Sequence, residues 1–240
     1  VVRENPPHSF FYYIHPFASQ QSKSIEHTHM YRIAFKNPVL SYLFVAFLGF
    51  IAGIITRLSD LFPSDTLWSF SSIASAFGFW ILTTTLLIYF SRSNFNAAVN
   101  TFLYLSTMNF SFYFTKYLLG LFFPLFHELE GFSWGLLYQF DILALLCSAI
   151  GFVLYYWNKD NPVRDILYAL PICGLGAETI GSVLFLCRTH TYLFQLILDS
   201  LALASLIMLF SRKVNHPLVF SAVILLGSIS GAFLFYFPWV

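Results

Sequence analysis

The sequence predicts an all-α integral membrane protein: a helical bundle of about seven transmembrane helices, N-terminus inside and C-terminus outside. Three observations carry this. Of 240 residues, 58% are hydrophobic and only 10% charged, whereas soluble domains carry about 25% charged residues. Apolar runs of ~20 residues, long enough to cross a hydrocarbon layer, recur along the chain. The charges gather in the gaps between these runs, and lysine and arginine favour alternate gaps.

Residues 1–29 stand apart. They are polar, contain the pair Pro6-Pro7 and show no sustained period. A basic start, an apolar core and a small-residue cleavage site are missing, so this is no signal peptide. Residues 1–29 read as a disordered tail or upstream non-native sequence, and 30–240 as the transmembrane bundle. Met30 opens a second plausible start, with Arg32 and Lys36 just ahead of the first apolar run. In the tail, His27 and His29 lack a third ligand and read as solvated residues.

The spans fall at roughly 38–57, 68–90, 96–119, 138–157, 164–187, 191–210 and 217–238. Pro38 and Pro217 sit near span starts, where the missing proline N–H is tolerated. The connector 120–137 is amphipathic and aromatic, and reads as a re-entrant or interfacial segment. If the first span enters from the cytoplasm, Arg32, Lys36, Arg92, Lys159, Arg164, Arg212 and Lys213 lie inside, and only Arg57 and Arg188 outside. Seven against two sets the orientation. Asp60, Asp65, Glu128 and Glu130 fall outside.

Lipid removes the hydrophobic drive for helix association, so small-residue faces become the expected seams. These are Gly49/Gly53, then Ser71/Ala74/Ser75/Gly78, Gly174/Ala177/Gly181, and Gly227/Gly231. Cys147, Cys173 and Cys187 lie in apolar runs without ligand spacing, and read as small buried hydrophobes.

Function is read from polar groups inside the spans, because a charge at the bilayer centre costs at least ~2.5 kcal/mol. Lys116, Asp141, Glu178 and Asp199 all fall in the outer half of the predicted bilayer. Asn109, Tyr113 and Lys116 share one helix face. Together these six residues define an expected outward-facing ligand or ion pocket. Lys116 and Asp141 also fit a simpler role, snorkelling to the interface. Glu178 is too deep for that. It lies in a run with Pro171, Gly174 and Gly176, where a kink would expose backbone oxygens beside a carboxylate. Arg57 and Asp60, three residues apart, read as a helix-end ion pair. His127-Glu128-Leu129-Glu130 lacks the second histidine of a zinc-protease motif and reads as a surface acidic patch.

Several classes are excluded. A net charge of +1 gives no basic field for nucleic acid. There is no HExxH or P-loop motif, and no GxGD run. The last span has no lysine for a retinal. No metal site or catalytic set is readable, and no cofactor is assigned. A small-solute or ion transporter, or solute-binding subunit, is the first functional expectation. A membrane-embedded enzyme acting on a lipid or peptide, and a non-catalytic assembly subunit, are the alternatives. The bilayer is the expected partner, and a further membrane subunit or ATPase stays unspecified.

Residues 67–108, LWSFSSIASAFGFWILTTTLLIYFSRSNFNAAVNTFLYLSTM, resemble an uncharacterised family of small multi-pass proteins from low-GC Gram-positive bacteria. The resemblance implies a bacterial cytoplasmic membrane setting and carries no activity.

Overall fold

The computed structural model describes residues 38–123, 131–159 and 161–237. All belong to one compact unit, Phe35–Val240. Among the described residues every regular element is helical: α1 (Pro38–Ser59), α2 (Ser72–Ser75), α3 (Gly78–Phe90), α4 (Asn94–Phe122), α5 (Trp134–Leu154), a 3-10 turn (Tyr155–Asn158), α6 (Arg164–Thr189), α7 (Leu193–Ser211) and α8 (Pro217–Phe235). The tail 1–29, Arg32, Lys36 and the acidic patch at 127–130 lie outside the described residues.

Five helical segments are long and apolar enough to cross a membrane: Val39–Ser59, Trp134–Asn158, Arg164–Thr189, Leu193–Ser211 and Pro217–Phe235. The chain is thus compatible with a multi-pass membrane protein. Their outer faces are apolar. Leu43, Phe47 and Ile55 are exposed on α1, Ile142, Leu145 and Ile150 on α5, and Leu225, Ile229 and Phe233 on α8. In water such a surface would be untenable; facing acyl chains it is satisfied.

The other two expected spans differ from the prediction. α4 has 29 residues but is more polar, carrying Asn100, Thr107, Asn109 and Lys116. The second expected span, read as one helix over 68–90, is broken. Ser69 adopts a positive φ of 42°, and its hydroxyl donates to the carbonyls of Ser64 (2.7 Å) and Thr66 (2.5 Å). Ala76 is extended (φ −92°, ψ 151°), ending the four-residue α2. Serine hydroxyls compete with helical backbone bonds, and this serine-rich run yields a turn and a break instead. α3 then runs only 13 residues, about 20 Å, short of a ~30 Å hydrocarbon core. α6, by contrast, keeps one helical course past Pro171.

Glycine faces bring backbones together as expected on α1. A Cβ at Gly49 would meet the carbonyl of Tyr104 and the Thr107 hydroxyl, and one at Gly53 the carbonyl of Met108 and the Ser111 hydroxyl. α1 and α4 therefore run side by side in the same direction. α5 returns antiparallel to α4: Asn94 Nδ2 donates to the Phe152 carbonyl at 2.8 Å, and Ser148 Oγ to that of Ala98 at 2.9 Å. α6 and α8 again run parallel, with Gly227 against the Cys173 sulfur and Gly231 against Ala177. Gly174 belongs to a different contact, facing Ile81 of α3.

One end of the bundle is closed by aromatic rings: Trp157 stacks on Tyr168 (5.4 Å between centroids), and both contact Phe210. Asp165 caps the start of α8, accepting from the backbone N–H groups of Asn215 (3.0 Å) and His216 (2.7 Å). The expected ion pair of Arg57 with Asp60 is present at the end of α1. The three cysteines are free, and Cys187 is exposed rather than buried.

Candidate functional site: a buried carboxylate pair at a helix break

Residues 67–69 are fastened to the start of α7. Leu193 and Phe194 N–H donate to the carbonyls of Leu67 (3.0 Å) and Trp68 (3.4 Å), and Tyr192 N–H to Ser69 Oγ (3.2 Å). These bonds satisfy N–H groups that a helix start leaves without intrahelical partners. They also hold the α2–α3 break against α7, one to two turns below its N-terminus.

At that depth two acids meet the start of α3. Glu178 of α6 is 5% exposed and Asp199 of α7 is fully buried. The Phe77 N–H, freed by the break, donates to Glu178 Oε1 at 3.0 Å, and the Tyr236 hydroxyl hydrogen-bonds Glu178 Oε2. Tyr236 gets there because its ring lies on Gly181, where a Cβ would come within 2.7 Å of it. Asp199 accepts from Gln195 Nε2 (2.8 Å) and from Ser182 Oγ (3.3 Å). Gly78 abuts the Asp199 carboxylate so closely that a Cβ would collide with Oδ1.

The spacing explains the convergence. Glu178 and Ser182 are four apart on α6, Gln195 and Asp199 four apart on α7, and each pair occupies one helix face. The two faces oppose each other across the seam. The start of α3 adds a partial positive charge directed at the acids.

The remaining expected site residues form a second group. Asn109 Nδ2 lies 3.4 Å from Asp141 Oδ1, a long hydrogen bond between α4 and α5. Tyr113 is buried, its ring 6.1 Å from that of Phe140. Lys116 lies two turns beyond Asn109 on α4 and is half-buried. A cleft of about 130 Å³ separates the groups, lined by Phe77, Trp80, Leu105, Asn109, Phe140 and Cys147 among others. Its walls are largely apolar, with Asn109 at one side and Phe77, the residue bonded to Glu178, at the other.

Gln195, Ser182, Tyr236, Phe77 and Gly78 were not expected at the site. Gln195 and Ser182 carried a signal, the four-residue spacing to an intramembrane acid. Tyr236 carried none among the aromatics of its run. Among the described residues, no group of three His, Cys, Asp or Glu could hold a metal ion.

Comparison with protein-family models, curated proteins and solved structures finds no match to this chain.

Proposed function

We propose that the chain is a transport-class membrane protein, binding a small solute or ion at the Glu178–Asp199 pair. In this reading it has seven crossings, N-terminus inside and C-terminus outside, in a bacterial cytoplasmic membrane. One observation carries the functional part: two buried carboxylates from adjacent helices meet at the N-terminus of an interrupted third. A single uncharged polar contact would hold α6 to α7 at far lower cost than two interior acids. An interrupted helix that aims its N–H groups at the same point is the arrangement by which membrane proteins build binding centres near mid-bilayer. The apolar cleft beside Phe77 offers room for a small organic group. The inward burial of both acids weighs against a pure assembly role, in which they would face a second chain.

The test is Glu178→Gln, which keeps the shape and removes the charge. The full chain, reconstituted in vesicles holding a pH-sensitive dye, is challenged with sodium and proton gradients and with pooled small organic solutes. The variant is expected to insert at near-normal levels and lose most of its gradient-dependent flux, because the charge at the centre is gone while the shape is kept. Unchanged flux, or collapse of expression with Gln alone, would make Glu178 a structural hydrogen-bonding group.

A further inference from the structure

We propose that Asp199, Gln195 and Ser182 hold one sodium-sized monovalent cation, an inference that rests on reading the carboxylate pair as a binding centre. Among the buried polar atoms without a hydrogen-bond partner, one lies on the amide bonded directly to an interior carboxylate. Gln195 is fully buried; its Nε2 donates to Asp199, while its Oε1 has no hydrogen-bond partner. Buried acceptors are nearly always matched, and an unmatched one needs an explanation. Rotating the amide does not supply one. It would place oxygen against the carboxylate and leave the NH₂ group unmatched instead. The unmatched oxygen sits on the amide bonded to Asp199, where a cation would answer it.

The oxygen set fits. Asp199 contributes a carboxylate, Gln195 a carbonyl and Ser182 a hydroxyl 3.3 Å from Asp199 Oδ2. These are hard oxygen donors, suited to an alkali cation. The charge fits as well. Both acids are sealed from water, and the start of α3 supplies only about half a positive charge against them. Each Glu178 oxygen takes one hydrogen bond, from the Phe77 N–H and the Tyr236 hydroxyl, as each Asp199 oxygen does from Gln195 and Ser182. What favours Asp199 is that the amide with the unmatched oxygen is bonded to it. That leaves one carboxylate with neutral oxygens around it. Calcium sites use 6–8 oxygens, usually with several carboxylates, and magnesium keeps several waters. The set here matches a single positive charge. Gly78 completes the enclosure, since its missing side chain lets the backbone close over Asp199.

Thermal unfolding of the purified full chain provides the test, with sodium chloride replaced by choline chloride at constant ionic strength. Sodium is expected to raise Tm saturably by roughly 2–5 °C. Asp199→Asn is expected to abolish the shift, and Gln195→Leu to weaken apparent sodium affinity at least ~10-fold, no less than losing a group that merely orients a ligand costs. Equal Tm in sodium and choline, stabilisation by magnesium or calcium alone, or a sodium shift retained by Asp199→Asn overturns the proposal. Sodium NMR line broadening on the unsubstituted protein reads binding without any variant; broadening no greater than in protein-free vesicles also overturns it. Sodium binding without flux leaves this inference standing and removes transport. Proton-driven flux with no sodium-specific shift does the reverse.

Discussion

Gly78 is the residue whose substitution most directly separates packing from site chemistry. A Cβ there would collide with Asp199 Oδ1 and lie 2.8 Å from its Cγ and 3.0 Å from Gln195 Nε2. The carboxylate cannot swing freely, because Gln195 and Ser182 hold both its oxygens. Gly78→Ala is therefore expected to cost about 1–3 kcal/mol, the usual range for overpacking, and to remove the sodium-dependent rise in Tm. Gly135→Ala is the control: nothing lies within 4 Å of a Cβ there, and alanine favours helix over glycine. Equal behaviour of the two variants in thermal unfolding would show that the Gly78–Asp199 apposition is unimportant. Glu178 and Asp199 were legible as single residues, because an acid in an apolar run announces its own cost. Their partners were not. Gln195 and Ser182 look like ordinary polar interruptions until the two helix faces are opposed, and Tyr236 depends on a ring lying over Gly181.

At the scale of elements, the seam of α1 with α4 makes a sharp claim. Gly53 approaches backbone, the Met108 carbonyl, as well as the Ser111 hydroxyl, and backbone cannot rotate away as a side chain tip can. Gly53→Ala is expected to separate the helices and lower stability by about 1–3 kcal/mol. Ile55→Val, on the half-exposed face of α1, is expected to change it by less than ~0.5 kcal/mol. Thermal unfolding of the two variants in the same lipid mixture checks this, and comparable losses would mean that α1 is not held through its glycines. The small-residue pattern that flagged this seam is local and readable. The α2–α3 break was not read, because hydropathy over 68–90 is continuous and hides it. Its cause is local chemistry, serine hydroxyls taking backbone carbonyls, together with a tertiary partner, Glu178, for the Phe77 N–H. A kink was expected near Pro171. There α6 continues, and the interruption faces Glu178 from the opposite helix.

For the whole molecule, residues 67–91 follow a path that neither α2 nor α3 alone is long enough to span. Their contacts follow the full course of α7. Leu67 and Trp68 bind the backbone at its start. Gly78 meets Asp199 partway along. Tyr89 contacts Phe210 near its end, with ring centroids 5.9 Å apart, and accepts a 2.6 Å hydrogen bond from Lys213. α7 has 19 residues, about 28 Å at 1.5 Å per residue, close to the hydrocarbon thickness. A segment that accompanies it from end to end travels the same depth, and the break supplies the missing length as extended chain. The proposed seven-span reading counts 67–91 as a crossing on this ground. The parallel course of α1 with α4 and of α6 with α8, and the antiparallel return of α5, agree with strict alternation. In the proposed orientation, which rests on the seven-to-two distribution of lysine and arginine, Asn94 and Asn161 are expected inside, and Asp65 and Glu130 outside. Single cysteines at these positions should then be labelled by an impermeant thiol reagent only at Asp65 and Glu130 in sealed right-side-out vesicles. The background should carry Cys187→Ser, because that thiol is exposed at the end of α6. Labelling of Asp65 and Asn94 from the same side would mean that 67–91 enters and leaves on one face. The Glu178–Asp199 pair would then stand at the tip of a re-entrant loop rather than within a broken span.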